Sequence, residues 1–301
     1  MSGDVNRPRL AVTVGDPRGI GPEIIRAALD DSALRGACEM IVVGPAGADV
    51  PVDISIGEWK RGSSIAEAGK LSGDAIVRAV QLALDGEVDG IVTAPIDKFA
   101  LLRGGYDYPG HTEMLAHLTG SRVAMMLASD RLRVVLATTH IPLRDVPAVL
   151  TADAIRNAAE VTRTGLRDWY GIRSPRIALC ALNPHAGDHG RFGDEDDILL
   201  APAAREWDLF GPFPADTVFV RAIRGEFDAV IAPYHDVGMT AIKVASFGSA
   251  VNVTLGLPFP RTSPDHGTAI DIAGRGIADP SSFIAATRLC AEIVLRRRQP
   301  Q

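Results

Sequence analysis

The stretch Leu-Ala-Val-Thr-Val-Gly-Asp-Pro-Arg-Gly-Ile-Gly-Pro-Glu, residues 10–23, predicts a βα unit at the start of the chain. Residues 10–14 form a short run of β-favouring side chains, and an apolar helix is expected around Glu23 to Leu29. Between them, glycines free the backbone to approach a ligand, and the helix N-terminus favours negative charge. The spacing fits neither the Gly-x-Gly-x-x-Gly dinucleotide motif nor a P-loop. An anion-binding loop and an ordinary tight turn therefore both remain open.

Strand and helix patterns go on alternating through the rest of the sequence. Further strands are predicted at Met40–Val43, Gly90–Thr93, Arg176–Ala181, Ala229–Ala232 and Val251–Leu255. Helices are predicted at Asp74–Leu84 and Ser281–Leu295, and a third helix is predicted to begin after an N-cap at Thr151 and to end at Gly171. One antiparallel hairpin is predicted, from Val123–Leu127 and Leu132–Ala137. This alternation predicts an α/β fold with a largely parallel sheet. No repeat or linker is visible, so a second domain has to be closely packed or interleaved.

Composition and charge narrow the class of protein. The chain has 301 residues, of which 47% are hydrophobic and 23% charged, and its formal net charge is −6. Without a long basic run, nucleic acids and anionic membranes are poor partners. No apolar run approaches the roughly 18 residues of a membrane helix, and the first residues lack the apolar core of a signal peptide. Cys38, Cys180 and Cys290 lie among apolar residues and are expected to be buried thiols, so a cytoplasmic protein is predicted.

Three histidines each follow a different predicted strand. His140 ends the run Val-Val-Leu-Ala-Thr-Thr-His, His185 follows Ile-Ala-Leu-Cys-Ala-Leu-Asn-Pro, and His235 follows Ala-Val-Ile-Ala-Pro-Tyr. Ligands of open α/β sheets bind beyond the carboxyl ends of the strands, so these imidazoles could converge in one crevice. Three imidazoles commonly hold a divalent ion that keeps an open position for substrate. A single loop histidine is more often a surface residue, so the metal hypothesis rests on the shared placement of all three.

Lys243, Asn252 and Arg261 fall in or beside strands of a mostly apolar stretch. Burying an unpaired lysine or arginine is costly, so a phosphate or carboxylate ligand would explain them. Arginine binds such groups through two parallel hydrogen bonds, and lysine acts as a point charge. Salt-bridged surface residues are the other interpretation.

The run His-Gly-Thr-Ala-Ile-Asp-Ile-Ala-Gly, residues 266–274, resembles the adenosine-binding loop of the isocitrate and isopropylmalate dehydrogenases. Those enzymes also carry a Gly-Asp-Gly-Ile-Gly-Pro-Glu loop after their first strand, close to residues 15–23 here. The resemblance favours a dehydrogenase over a hydrolase. It implies that NAD or NADP is bound by His266, Gly267, Thr268, Ala269, Asp271 and Gly274.

Motifs along nearly the whole chain resemble the 4-hydroxythreonine-4-phosphate dehydrogenase family. In order they are Gly-Asp-Pro-Arg-Gly-Ile-Gly-Pro-Glu (15–23), Thr-Ala-Pro-Ile-Asp-Lys (93–98), Pro-Gly-His-Thr-Glu (109–113), Ala-Thr-Thr-His-Ile-Pro-Leu-Arg (137–144), Leu-Asn-Pro-His-Ala-Gly (182–187), Gly-Pro-Phe-Pro-Ala-Asp-Thr (211–217), Tyr-His-Asp (234–236), Val-Asn-Val-Thr-Leu-Gly-Leu-Pro (251–258) and Arg-Thr-Ser-Pro-Asp-His-Gly-Thr-Ala (261–269). The resemblance implies two α/β/α domains with interleaved connectivity and an active site in the cleft. Residues 1–110 and 246–301 would form a cofactor-binding domain, and residues 111–245 a domain for metal, substrate and dimerisation.

The resemblance also implies roles for individual residues. His140, His185 and His235 become ligands of a zinc, magnesium, manganese or cobalt ion, with the third supplied by the neighbouring subunit of a homodimer. The implied substrate contacts are His111, Thr112, Lys243, Asn252 and Arg261. Family members oxidise the substrate hydroxyl with NAD(P), and the β-keto acid then loses CO2 to give 3-amino-2-oxopropyl phosphate, a step of pyridoxal phosphate biosynthesis. The metal would polarise the hydroxyl and then the ketone, and Lys243 and Asp236 are the candidate bases.

Two departures from the family pattern leave the substrate open. The chain is shorter than many members between residues 45 and 75, where only a brief Pro/Gly-containing connection is expected. Ser-Pro-Asp-His at 263–266 carries a proline, as in relatives that act on D-threonate or D-erythronate 4-phosphate. The alternatives are a dehydrogenase of one of these acids or of a carboxylated cis-diol. Residues 266–274 argue against a histidine metal hydrolase, and the full set of site residues argues against a non-catalytic binding protein.

Overall fold

The computed structural model describes residues 7–246 and 249–299. Its strands are β1 (Arg9–Thr13), β2 (Glu39–Ala46), β3 (Ile54–Glu58), β4 (Gly90–Thr93), β5 (Ala124–Ala128), β6 (Arg133–Leu136), β7 (Ile177–Cys180), β8 (Phe210–Phe213), β9 (Ala229–Ala232), β10 (Val251–Leu255) and β11 (Arg261–Pro264). Its α-helices are α1 (Gly21–Asp30), α2 (Ser32–Ala37), α3 (Ile65–Leu84), α4 (Lys98–Arg103), α5 (His111–Thr119), α6 (Val146–Val149), α7 (Ala152–Asp168), α8 (Ala201–Glu206), α9 (Ala215–Ile223), α10 (His235–Ser246) and α11 (Ser281–Arg298). Short 3-10 segments lie at Leu143–Asp145 and Pro184–Gly187, and a π-helical segment at Asp196–Leu200. Within this described part of the chain, no helix is both long and apolar enough to cross a membrane.

The chain divides into two compact units, and the first is built from both of its ends: the residues up to Ser121 and those from Leu257 onward. The strands of this unit pair in the order β3-β2-β1-β4-β11, and each pairing is parallel. All four residues of β4 are buried, as are Leu10–Thr13 of β1. Successive strand residues point to opposite faces, so both faces of this sheet must be covered, and α3 and α11 pack on it.

The second unit is Arg122–Gly256, and its strands pair in the order β10-β5-β6-β9-β7-β8. The predicted hairpin is confirmed, since β5 and β6 pair antiparallel, and β10 adds to β5 in the same sense. β6, β9 and β7 are parallel neighbours. Their carboxyl ends therefore meet at one edge of the sheet, which is where loops can form a ligand site.

The boundaries of the two units fall later in the chain than the predicted limits at 110/111 and 245/246. Helix α5 carries His111 and Thr112, packs against α3 and belongs to the first unit. Strand β10 pairs with β5 and belongs to the second. Both assignments depend on contacts between distant parts of the chain, which local periodicity does not reveal. Which unit binds the cofactor and which one dimerises remains a prediction.

Residues 45–75 hold more structure than the brief connection expected there, so that prediction is wrong. They contain β3, whose mixed burial leaves little hydrophobic pattern to recognise. They also contain the beginning of α3, which starts at Ile65 and not at Asp74. The Ser64 hydroxyl accepts a hydrogen bond from the Glu67 N–H and so caps this longer helix. A similar cap was predicted correctly at Thr151, whose side chain accepts from the Ala154 N–H.

The three cysteines are free and buried, as predicted. Desolvation raises the pKa of Cys38 to about 11 and those of Cys180 and Cys290 to about 12. A thiol is reactive as its thiolate, so these side chains are apolar core residues at neutral pH.

Candidate active site

The three histidines predicted to bind a metal follow three neighbouring parallel strands. His140 follows β6, His235 follows β9 and His185 follows β7, with β9 between the other two. The ring centroids of His140 and His235 lie 5.6 Å apart. His185 lines a cleft together with Tyr234, and Tyr234 also lines the cleft of His140 and His235. The strand order therefore places all three histidine loops at one edge of the second unit.

The spacing of His140 and His235 suits two ligands of one ion. A zinc–nitrogen bond is about 2.1 Å, which puts the centroids of two imidazoles on one tetrahedral ion roughly 5–6 Å apart. Among residues 7–246 and 249–299, no three His, Cys, Asp or Glu side chains are grouped closely enough to hold a metal ion. The structure thus brings together two of the predicted ligands, and His185 as the third stays a prediction. So does the supply of His235 by a neighbouring subunit, although its ring lies beside His140 of the same chain.

A carboxylate is placed to orient His235. Nδ1 of His235 lies 2.8 Å from Oδ1 of Asp236. A proton on Nδ1 is donated to this carboxylate, which leaves the Nε2 lone pair for a metal. The Asp236 side chain is otherwise largely exposed. This contact makes Asp236 a positioning group for His235, beside its predicted role as a base.

The position of Lys243 differs from the prediction. It is exposed on α10 and does not lie in or beside a strand, so a burial cost does not explain it. Helical periodicity places it on the same face as Asp236, two turns further along. The helix was missed because small residues dilute its pattern. Gly238 lets α10 lie on β6, since a Cβ there would come 2.7 Å from Leu136 Cδ2.

Asn252 lies in β10, in a strand as predicted, and is half-buried. Its Nδ2 donates to Met125 Sδ at 3.4 Å. Its Oδ1 is buried and accepts no hydrogen bond from the described residues. A buried polar atom usually has a partner, so this oxygen suits a donor on a ligand.

Arg261 lies in β11 and is only 1% exposed, as the prediction of a buried cation required. Its Nη2 donates a short hydrogen bond to Thr93 Oγ1. Burial lowers the pKa of Arg261 to about 9, and the nearby Glu113 carboxylate opposes this change. The guanidinium is therefore still cationic at neutral pH.

The N-terminus of α5 lies next to this cation. His111 and Thr112 are the first residues of the helix, and Gly110 before them supplies no side-chain cap. His111 Nε2 is buried and has no hydrogen-bond partner among the described residues. Burial, with smaller contributions from the charges of Arg261 and Lys98, lowers the pKa of His111 well below its ordinary value of 6.5. Arg261, Lys98 and the helix N-terminus therefore lie near the buried imidazole of His111, and we call this group the anion site because an anion would be stabilised there.

His111 is expected to stay neutral at pH 6.5 and above in the free enzyme, because its pKa is lowered well below the ordinary 6.5 by burial and by two cations. Below pH 6.5 the unfolded chain binds a proton at His111 that the folded chain does not bind. His111 therefore lowers the free energy of unfolding as the pH falls below 6.5 and leaves it unchanged above that pH. Inorganic phosphate should raise the pKa of His111, because a dianion favours imidazolium.

An NMR titration measures this, with the signal assigned from His111→Gln and sodium chloride at equal ionic strength as the control. Ordinary titration of His111 near 6.5 in the free enzyme, unchanged by phosphate, would contradict the anion site.

The predicted cofactor residues all lie in the loop between β11 and α11. His266 Nδ1 lies 3.0 Å from the Gly267 carbonyl oxygen, and Asp271 is exposed. Ala269 has a φ of 42°, in the left-handed region that non-glycine residues rarely adopt. Such backbone conformations are held by surrounding contacts and are frequent at binding sites.

Residues 15–23 hold this loop in place. The Ile20 N–H donates to the Thr268 carbonyl at 2.9 Å, and the Glu23 carboxylate accepts from the Gly274 N–H at 3.1 Å. A Cβ on Gly19 would lie 2.7 Å from the Thr268 carbonyl oxygen, so glycine is needed for this approach. The two motifs that resemble dehydrogenase loops are therefore one connected structure within the first unit.

The charged groups of residues 15–23 pair with one another. Asp16 is fully buried, and Arg18 donates to both of its oxygens at 2.9 and 2.6 Å. Arg18 also lies 3.1 Å from Asp97, and its pKa is raised, mainly by the hydrogen bond to Asp16. Of the two interpretations left open above, the structural turn is favoured over a loop that binds an anion itself.

Sequence reasoning did not single out Thr93, which accepts a hydrogen bond from Arg261, or Lys98, whose charge acts on His111. Both are the end residues of the motif Thr-Ala-Pro-Ile-Asp-Lys (93–98). The motif was recognised, but its distance in sequence from His111 and Arg261 concealed which of its side chains approach them.

Comparison with known proteins agrees with this fold. A model of the family described as "Pyridoxal phosphate biosynthetic protein PdxA" matches residues 23–290. The 4-hydroxythreonine-4-phosphate dehydrogenase of Geobacter metallireducens is 44% identical over 95% of this chain and 96% of its own. The D-threonate 4-phosphate dehydrogenase of Cupriavidus necator is 42% identical over 96% and 98%.

Two solved structures are also similar. The 4-hydroxythreonine-4-phosphate dehydrogenase of Klebsiella pneumoniae has a TM-score of 0.85 and 40% identity, and covers 97% of this chain and 99% of its own. A terephthalate 1,2-cis-dihydrodiol dehydrogenase of Burkholderia xenovorans has a TM-score of 0.67 and 27% identity over 95% and 98%. The predicted α/β class with interleaved connectivity is thereby confirmed. The chain belongs to the family of pyridoxal phosphate biosynthetic proteins PdxA.

Proposed function

We propose that the protein is a metal-dependent, NAD(P)-linked dehydrogenase of 4-hydroxythreonine 4-phosphate (4-phosphooxy-L-threonine). It oxidises the substrate hydroxyl, and the β-keto acid loses CO2 to give 3-amino-2-oxopropyl phosphate for pyridoxal phosphate biosynthesis in the cytoplasm. The anion site at the start of α5 carries this proposal, because it suits the phosphate that distinguishes this substrate from an ordinary hydroxy acid.

The phosphate is bound by His111, Thr112 and Arg261. The first N–H groups of a helix have no partner within it and point outward, so His111 and Thr112 offer backbone donors in addition to their side chains. The buried Arg261 supplies a fixed positive charge. A phosphomonoester brings about two negative charges and several acceptor oxygens, which offset the cost of keeping these groups from water.

Lys243 and Asn252 bind the rest of the substrate. The buried Oδ1 of Asn252 is an acceptor that suits a substrate hydroxyl or ammonium group. Lys243 is exposed on the helix that begins with His235, and it is the candidate that takes up the proton of the oxidised hydroxyl. Asp236 is the second candidate, although its contact with Nδ1 of His235 already gives it a positioning role.

The metal is held by His140, His185 and His235, and residues 266–274 hold the adenosine part of NAD or NADP. A zinc, magnesium, manganese or cobalt ion at the histidines would polarise the hydroxyl, and the nicotinamide would accept the hydride. The chain's part is to supply neutral imidazoles from rigid strand ends. Asp236 keeps His235 in the tautomer that can bind a metal through Nε2.

The deciding experiment measures NADH and NADPH formation against a panel of substrates. The panel contains 4-hydroxythreonine 4-phosphate, D-threonate 4-phosphate, D-erythronate 4-phosphate, a carboxylated cis-diol and the dephosphorylated form of each phosphate. The second and third compounds are kept because one relative is named for D-threonate 4-phosphate, and the diol because a similar structure is named for one. Higher kcat/KM for the first compound supports the proposal. Equal use of phosphorylated and dephosphorylated forms would exclude it.

We also propose a homodimer that shares its two active sites. If His235 completes the site of the neighbouring subunit, mixing inactive His140→Ala and His235→Ala proteins restores activity. One site of the mixed dimer then has both defects and the other has neither. If His140 and His235 serve one ion within a chain, as their 5.6 Å ring separation also allows, each mixed site has one defect and activity stays absent. Subunit exchange is verified with differently tagged chains, and no recovery after exchange counts against sharing.

A further inference from the structure

We propose that Asp196 is a positioning residue for His185, holding the strained turn from which that imidazole projects. This inference rests on the proposed metal-binding function of His185. It concerns a residue that neither the histidine pattern nor the family motifs single out, since Asp196 lies beyond the motif at 182–187.

The contacts of Asp196 are directed at the backbone just before His185. The side chain is 1% exposed. Its Oδ1 accepts from the Leu182 N–H at 2.8 Å, and its Oδ2 accepts from the Asn183 N–H at 2.9 Å. Next to it, Glu195 Oε2 accepts from Asn183 Nδ2 at 2.7 Å. Two adjacent carboxylates therefore hold the segment that follows β7, at Leu182 and Asn183, by hydrogen bonds.

The turn that follows has an unusual backbone. Every residue from His185 to Gly190 has a positive φ, with values of 54°, 55°, 83°, 45°, 58° and 83° in chain order. Consecutive left-handed conformations are costly for residues that carry a Cβ, so the turn persists only if its surroundings hold it. It is an ordered structure with hydrogen bonds of its own, including one from the Phe192 N–H to the Gly187 carbonyl at 3.0 Å.

The turn passes close to Asp196 at Gly187. A Cβ on Gly187 would lie 3.9 Å from Asp196 Oδ2 and 2.8 Å from the Gly193 carbonyl oxygen. Gly187 is itself buried. Only a glycine fits between the turn and the segment beneath it, and the carboxylate forms part of that surface.

The charge of Asp196 is not neutralised by a cation. None of the ion pairs between the described residues includes this side chain. A buried carboxylate is costly unless donors satisfy it, and here the donors are the N–H groups of Leu182 and Asn183. Asp196 also begins a π-helical segment, a geometry that is frequent at functional sites. The buried charge and the conformation of the turn therefore depend on each other.

The test uses the full-length protein in metal-free form, with Zn2+ alone as the probe. Asp196→Asn keeps the shape of the side chain but turns an NH2 group toward a backbone N–H, so one hydrogen bond is lost and two donors face each other. Asp197→Asn is the matched control, because that neighbouring carboxylate is exposed. Gly187→Ala is a second variant that disturbs the turn and leaves the carboxylate in place. Zn2+ affinity is measured by competition with a chelator, and hydrogen exchange by mass spectrometry on peptides covering residues 181–193.

Asp196→Asn and Gly187→Ala should each lower Zn2+ affinity about 10- to 100-fold, the usual effect of removing a group that orients a ligand. Exchange in residues 181–193 should rise about tenfold, with little change elsewhere. In a His185→Ala background, Asp196→Asn should cause no further loss of Zn2+ affinity, because it acts through that imidazole.

Unchanged exchange in 181–193, or a full additional loss of affinity in the His185→Ala background, overturns the inference while the proposed function stands. If wild-type protein binds no Zn2+ or His185→Ala binds it normally, the proposed metal site fails. The exchange result then still decides whether Asp196 holds the turn. If Asp196→Asn does not fold, Asp196→Glu, which keeps the negative charge but displaces the carboxylate from the Leu182 and Asn183 N–H groups, takes its place in the same comparison.

Discussion

Replacing His185 with alanine is expected to leave the purified protein largely free of metal, with only the weak affinity of the two remaining ligands, and to lower kcat by about two orders of magnitude or more. A catalytic metal site has at least three protein ligands. Removing a group that only orients such a ligand already lowers metal affinity or activity about 10- to 100-fold, and losing a ligand itself should cost more. The same loss is expected for His140→Ala and His235→Ala, because these residues follow β6 and β9, and the strand of His185 comes next in the order β6-β9-β7. Metal content of the purified variants and turnover with saturating substrate are the measurements.

The turn that carries His185 offers a matched control. His189 is also a histidine, is also exposed and also has a positive φ, of 58°. It lies outside the motif that resembles the metal site, so His189→Ala should keep full metal content and near-normal turnover. Full metal occupancy in His185→Ala would refute the assignment of this residue as a ligand. Equal losses in both variants would point to general damage to the turn.

Arg261→Gln should raise KM for the phosphorylated substrate by about one to two orders of magnitude and change kcat much less. A hydrogen bond to a charged group contributes roughly 1.5–3 kcal/mol, and each 1.4 kcal/mol corresponds to about a tenfold change in affinity. Glutamine retains a donor for Thr93, so the local loss is mainly that of the positive charge. The dephosphorylated analogue, which has no phosphate to bind, should show little change between wild type and variant.

Arg288→Gln is the control, because it removes an arginine charge from the exposed surface of α11 and leaves the buried Arg261 in place. Thermal unfolding of both variants separates a loss of binding from a loss of fold, which matters for a side chain that is 1% exposed. A similar rise of KM for phosphorylated and dephosphorylated compounds in Arg261→Gln would contradict the phosphate site. It would also contradict the proposed phosphorylated substrate.

The sequence predicted the individual elements well wherever a short apolar run stood between strong turn residues. β4, β9 and β10 have the predicted limits, because apolar and β-branched residues dominate each of these short runs and favour the extended conformation. Prediction was poor where the pattern was weak. β3 is a partly exposed strand, and the sequence of α10 contains several small residues. Neither segment therefore shows a clear hydrophobic periodicity.

The sequence by itself determined the α/β class, the buried thiols, the family and the placement of three histidines just after strands. Each of these depends on residue type and local order, which the chain carries without folding. Only the tertiary structure decided that β6, β9 and β7 are neighbours, that His111 lies beside Arg261, and that residues 15–23 support residues 266–274. These are contacts between residues far apart in the chain. They follow from which apolar faces pack together and which strands exchange hydrogen bonds, and no local pattern encodes that choice.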